Sequence, residues 1–135
     1  MSYSLGNYWL IKVSTSEWNR LLKDNILLSQ EPYNWLKQGD YIITYVKGSG
    51  KIKGVFQVTS DWRQINEEQP YAVETKPEAI GEVDYELISL ELDFVRDKEM
   101  CWVYLIDNPG NFKSPIPPND AATILDALEK GKEKP

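Results

Sequence analysis

The apolar positions of this chain fall into short blocks with two different periods, and the blocks predict a small sheet with a few short helices. Tyr8-Trp9-Leu10-Ile11-Lys12-Val13, entered from Asn7, is dense in aromatic and β-branched residues and predicts a strand. Ser14-x-x-Glu17 has capping-box spacing, and Trp18, Leu21 and Leu22 recur at helical intervals, so a short helix runs to about Lys23. Asp24-Asn25 ends it, and Ile26-Leu27-Leu28 predicts a brief buried strand. Residues 31–37 form a loop or a single helical turn carrying Tyr33 and Trp35, and Gln38-Gly39-Asp40 is a turn signal. Residues 41–47 and 51–60 are strands joined by a reversal at Gly48-Ser49-Gly50, and this hairpin is the strongest local signal in the chain. Gly54, inside the return strand, predicts a bulge or a close backbone approach.

The second half is less regular. Residues 61–69 are polar and read as a loop, 71–76 alternate as a strand, and 79–83 read as a further strand. Residues 85–91 fit helix or strand, while 92–95 and 100–106 read as short strands. Residues 107–118 hold Pro109-Gly110, Pro115, Pro117 and Pro118 and predict a loop. Asn119 or Asp120 caps a last helix to about Lys130, with Ile124, Leu125 and Leu128 on its apolar side, and 131–135 read as a frayed tail. About five to seven short strands with short flanking helices define an α+β class. A curved mixed sheet closing toward a small barrel is the compact way to hide so many short edges. The whole chain, 1–135, reads as one domain with its core over about 7–130.

Composition narrows the chemistry. A chain of 135 residues buries about two-thirds of its unfolded surface, enough for a core without staples. No stretch approaches the roughly 20 apolar residues that span a bilayer, and the N-terminus shows no basic segment leading into an apolar run. The single cysteine, Cys101, excludes an internal disulfide and fits a reducing, cytoplasmic location. There is no histidine, so Ser–His and Cys–His dyads are impossible and a zinc site would lack its usual donors. No metal and no cofactor are expected, and enzymatic function is disfavoured, although catalysis by Asp, Glu, Lys or Tyr stays open. The net charge of −6 argues against a long phosphate footprint and for a local contact or a small ligand.

Tyr8-Trp9-Leu10-Ile11-Lys12, the short helix, Lys37-Gln38-Gly39-Asp40 leading into Tyr41-Ile42-Ile43-Thr44-Tyr45-Val46, and Ile52-Lys53-Gly54-Val55-Phe56-Gln57-Val58 follow one another in an order that resembles the EVE domain of the PUA-like superfamily. Tyr71-Ala72-Val73-Glu74 and Met100-Cys101-Trp102 extend the resemblance to nearly the whole chain, from about Asn7 to Leu128. The layout is also similar to the YTH domain, which binds methylated adenine in RNA. The resemblance implies a PUA-like barrel whose mouth accepts a flipped-out, modified base of DNA or RNA between aromatic walls. The family often places a Trp just after the first helix. This chain has Leu27 and Leu28 there, so one wall is aliphatic or comes from Tyr33 or Trp35.

Five Trp and eight Tyr are a heavy aromatic load, suited both to stacking on bases and to filling a core. The candidate ligand contacts are Trp9, Lys12, Val13, Ser14, Leu28, Trp35, Tyr45, Trp62 and Asn108. Trp62 stands in a polar loop between Asp61 and Arg63 and is either a cage wall or a lid on the barrel end. Trp9 sits mid-strand, where alternation with Leu10 sends one of the two inward. Trp18 and Trp102 read as core. By the YTH resemblance, Lys12, Val13 and Ser14 contact the base edge at the strand-to-helix junction, although Ser14 also reads simply as a cap. Asn108 has an amide able to read a base edge, with turn-making as the plainer reading. Lys47, Lys51, Lys53 and Arg63 are a candidate phosphate rim or a lysine-protected hairpin edge. The functional reading is a monomeric, non-enzymatic binder of a modified base in DNA or RNA. Its competitors are a sensor of a free nucleobase, nucleoside or other planar ligand, an acid-based enzyme using Asp61, Asp107 or Glu74, and a protein-interaction module.

Overall fold

The computed structural model describes residues 6–29, 35–65, 71–104 and 115–132. Strand β1 (Tyr8–Val13) leads through the Ser14 cap into helix α1 (Thr15–Asp24), then β2 (Ile26–Ser29). Strands β3 (Tyr41–Val46) and β4 (Lys51–Val58) form the hairpin, followed by a two-residue β5 (Arg63–Gln64) and the long β6 (Tyr71–Asp84). Helix α2 (Tyr85–Ser89), a 3-10 segment (Lys98–Tyr104) and α3 (Pro118–Lys132) complete the chain. The six strands form one curled sheet in the order β1-β3-β4-β6-β2, with β5 also paired to β6. Among the described residues only β1 and β3 run parallel, and the other strand pairs are antiparallel. This is the mixed, half-barrel α+β architecture expected from the pattern.

The local signals translate directly. Ser14 Oγ accepts from the Glu17 N–H and Glu17 Oε1 accepts from the Ser14 N–H, a reciprocal cap that fixes where α1 begins. Asn25 ends it in the left-handed conformation (φ 56°), and its N–H donates to the Leu21 carbonyl. At Gly54 the register of β4 shifts against both β3 and β6. A Cβ there would lie 3.1 Å from Trp18 Cη2, Phe56 Cε1 and Ile80 Cδ1, so the expected bulge and the expected close approach are both present.

Three expectations fail in the second half. Residues 71–84 are one strand, not two, and it runs through Pro77. β2 stops pairing with β6 at Glu74, so among the described residues the strand at Pro77 has a paired neighbour on one side only, beside a register shift, and the missing N–H is tolerated. Residues 92–95 are turn, and 100–104 belong to a kinked 3-10 segment, where strands were expected. Their apolar residues cover the sheet and do not extend it. Leu92, Val95 and Cys101 are instead buried against the sheet face from above. A short β5 also appears in the expected loop at 61–69, because Ala72 and Tyr71 offer open pairing positions to Arg63 and Gln64.

Each face of the sheet carries its own apolar cluster. On one face, Leu10, Ile43, Tyr45, Ile52 and Val55 pack under Tyr85 and Ile88 of α2 and Ala121, Ile124 and Leu128 of α3. Gly81 lets α3 approach: a Cβ there would stand 2.7 Å from the Leu128 carbonyl oxygen. On the opposite face, Trp9, Ile11, Val13, Ile42, Phe56, Val58 and Val73 pack with Trp18 and Leu21 of α1 and with Leu27 and Leu36. Among the described residues no helix is long and apolar enough to cross a membrane.

Candidate functional site

The α1 face has two ends. One lies at the β3–β4 hairpin, the other where residues 35–40 and 58–62 meet. Tryptophans gather at the second. Trp9, the second residue of β1, is only 3% exposed and donates its indole N–H to Asp40 Oδ2 at 3.0 Å. Asp40 is itself buried and accepts two further bonds, from the N–H of Asn7 at 3.1 Å and of Lys37 at 3.0 Å. One carboxylate therefore ties β1 to the turn that opens β3. Charge-assisted bonds of this kind contribute about 1.5–3 kcal/mol each.

Trp35 is half-buried and lies across Trp9, with ring centroids 4.7 Å apart at 48°. Trp62, also half-buried, donates its Nε1 hydrogen to the Leu36 carbonyl at 3.2 Å. Both rings pack against the α1-face cluster while keeping part of their surface in water. Two partly exposed indoles around buried Leu36, with a third beneath, form an apolar, π-rich surface suited to a planar ligand.

A polar group lies on the same face. Thr75 is 5% exposed, and its Oγ1 is buried with no hydrogen-bond partner among the described residues. Burying a hydroxyl unpaired costs about 1–3 kcal/mol. Thr75 pairs across the sheet with Val58, and alternation from Val73 sets its side chain on the tryptophan face.

The other expected site residues are dispersed. Val13 is fully buried at the hairpin end of the same face. Ser14 is the helix cap, with its hydroxyl and N–H both used by Glu17. Lys12 is half-buried on the α3 face, opposite Tyr45 in the β1–β3 register. Tyr45 packs edge-on against Tyr85, at 5.8 Å and 68°, within the α3-face core. Burial pushes its phenol above the ordinary value, against the opposing pull of Lys12 and a backbone bond at Gly50, so it stays neutral near pH 7. Leu28 is half-buried, on the opposite side of β2 from Leu27. Asn108, with Tyr33, Asp107, Asn111 and Lys113, lies outside the described residues.

The phosphate rim is also split. Lys51 and Lys53 at the start of β4 approach Glu82 at 3.2 and 3.8 Å, and Lys47 is exposed in the hairpin turn. Arg63 lies beyond the other end of that eight-residue strand, about 25 Å away along it. These lysines hold Glu82 below the ordinary carboxylate range, first through the Lys51 hydrogen bond. Asp40 and Thr75 were missed by sequence reasoning. Asp40 was visible only as a turn residue, and no sequence signal marks a threonine whose partner is absent.

A curled mixed sheet with a helix between β1 and β2 and a helix packed on the far face defines a PUA-like α+β fold of the YTH kind. The YTH domain of Zygosaccharomyces rouxii MRB1, solved in complex with N6-methyladenosine RNA, superposes with a TM-score of 0.64 at 18% identity, covering 95% of this chain and 90% of that one. The Pho92 YTH domain in complex with m6A gives 0.66 at 16% identity, over 96% of this chain and 87% of that one. The NMR structure of a Rhodopseudomonas palustris protein gives 0.60 at 13%, over 92% and 94%. No family model matches the chain. In sequence it is 32% identical to a UPF0310 protein of Saccharolobus solfataricus, across 91% of this chain and 95% of that protein. It is 27% identical to a UPF0310 protein of Pyrococcus horikoshii, across 68% and 80%. The chain belongs to the UPF0310 family.

Proposed function

We propose that this protein is a non-enzymatic reader of a modified nucleobase, an EVE-type member of the PUA-like superfamily that holds the base at its tryptophan end. The observation that carries the reading is the pair of half-buried indoles, Trp35 and Trp62, around Leu36 and above Trp9. Stacking on such rings stabilises a bound base by about 1–3 kcal/mol, enough to offset much of the few kcal/mol needed to extrude it from a stack. RNA is the favoured polymer, since the YTH domain of MRB1 shares the fold and was solved with N6-methyladenosine RNA. DNA carrying the same modification is the weaker form of the reading.

A free nucleobase or nucleoside is the second reading. It is favoured by the net charge of −6 and by the engagement of Lys51 and Lys53 with Glu82, which occupies two of the four cations of the candidate phosphate rim. Titration of intrinsic Trp fluorescence with nucleosides and short single strands, plain and methylated, separates the two. Selective quenching by one modified base, with strand affinity falling steeply as salt rises, is expected for the polymer reader. Equal binding of strand and nucleoside with little salt dependence selects the free ligand. A flat response across the panel from the folded protein overturns both and leaves an interaction module.

A further inference from the structure

Among the described residues two threonines are buried in the sheet, and they differ in one respect. Thr44 donates its hydroxyl to the Gly54 carbonyl at 2.9 Å, whereas Thr75 Oγ1 has no partner among those residues. The Thr75 backbone is not to blame, since its N–H donates to the Asn25 carbonyl at 2.8 Å. Asp40, the buried carboxylate at the tryptophan end, already accepts three hydrogen bonds. Trp62 lies on the same face of the sheet as this hydroxyl. Ser60 Oγ accepts from the Glu74 N–H at 2.8 Å and Arg63 pairs with Ala72, so Trp62 is bracketed beside Val73, two residues along the strand from Thr75. Its ring packs on the cluster that contains both Val73 and Val58, the cross-strand partner of Thr75.

We propose that Thr75 Oγ1 is the polar anchor of the ligand site and that Trp62 is the ring that covers it. The ligand displaces Trp62 from the Leu36 carbonyl and sets an uncharged polar edge against the hydroxyl, which both donates and accepts. The class selected is a neutral heteroaromatic ring with a nitrogen or exocyclic oxygen at its buried edge, not an acid or a phosphate. This inference rests on the nucleobase reading above.

The test uses the full chain with Thr75→Val, which removes the hydroxyl at nearly constant shape, and Thr75→Ser, which keeps it. Adenosine, N6-methyladenosine, cytidine and 5-methylcytidine are the probes, and the free proteins are also melted. Thr75→Val is expected to melt at or above the parent temperature and to bind the parent's best nucleoside about tenfold more weakly, the cost of one hydrogen bond, while Thr75→Ser binds like the parent. Equal binding by parent and Thr75→Val overturns the anchor alone. A Thr75→Val protein that melts well below the parent also overturns it, since the hydroxyl would then be partnered in the free protein. A parent that binds none of the four overturns the nucleobase reading together with the anchor.

Discussion

The two faces of the sheet are built from the same kinds of residue and finished differently. On the α3 face the polar groups are closed off: the Tyr85 hydroxyl donates to the Cys101 carbonyl at 2.7 Å, and Asp120 accepts from the N–H groups of Asp93 and Phe94 at 2.8 and 2.9 Å. On the tryptophan face, two indoles remain partly wet and a buried hydroxyl remains unpaired. A folded domain gains stability by finishing its core, so the face left unfinished is the one to which the proposed function assigns the ligand. On that proposal the α3 face serves stability alone, while the tryptophan face serves both stability and recognition.

Substitutions break or sharpen that contrast. Tyr85→Ala removes a fully buried ring from the α3 face and is expected to cost about 3–5 kcal/mol in denaturant unfolding. A loss under about 1 kcal/mol would show that this face does not carry the fold. Asp40→Ala is expected to cost about 2–3 kcal/mol, since it strands the N–H groups of Asn7 and Lys37 and the Trp9 indole. It should also shift Trp emission as Trp9 loses its partner. Trp62→Ala is expected to invert the pattern: unfolding changes by about 1 kcal/mol while ligand affinity falls by about 1–3 kcal/mol. If the protein unfolds instead, Trp62 is a core lid and not a cage wall.

The smallest effect is electrostatic. Glu82 has a lowered pKa in the folded state, so its contribution is present above the ordinary carboxylate range and is lost as pH falls through the depressed value. Because the Glu82 side chain is 57% exposed, Glu82→Gln is expected to change stability by about 0.5 kcal/mol or less at pH 7, and the difference should shrink in high salt. A larger, salt-insensitive effect would mean that the Lys51–Lys53–Glu82 cluster organises the hairpin.

What was legible in the sequence was local. The Ser14–Glu17 capping box, the helix stop at Asp24-Asn25 and the Gly48-Ser49-Gly50 reversal each act within a few residues, so their spacing alone determined α1 and the β3–β4 hairpin. Gly54 announced its bulge and its close approach because a glycine inside a strand has few other uses. The resemblance to EVE and YTH domains, which runs from about Asn7 to Leu128, pointed to the fold for the same reason, resting on an ordered series of such local elements.

Tertiary structure decided the rest, because those outcomes depend on which neighbours are present. Pro77 lies inside a strand only because β2 has already left β6 at that point. Leu92, Val95 and Cys101 carry strand-like apolarity, yet they cover one face of the sheet and do not extend it. Lys12 and Trp9, three residues apart on β1, fall on opposite faces of the sheet by alternation, which removes Lys12 and Tyr45 from the tryptophan site. Asp40 gains its role from three donors, two of them more than thirty residues away. Thr75 is singled out by a bond it does not make, and a missing partner is a property of the packed molecule and not of its residue order.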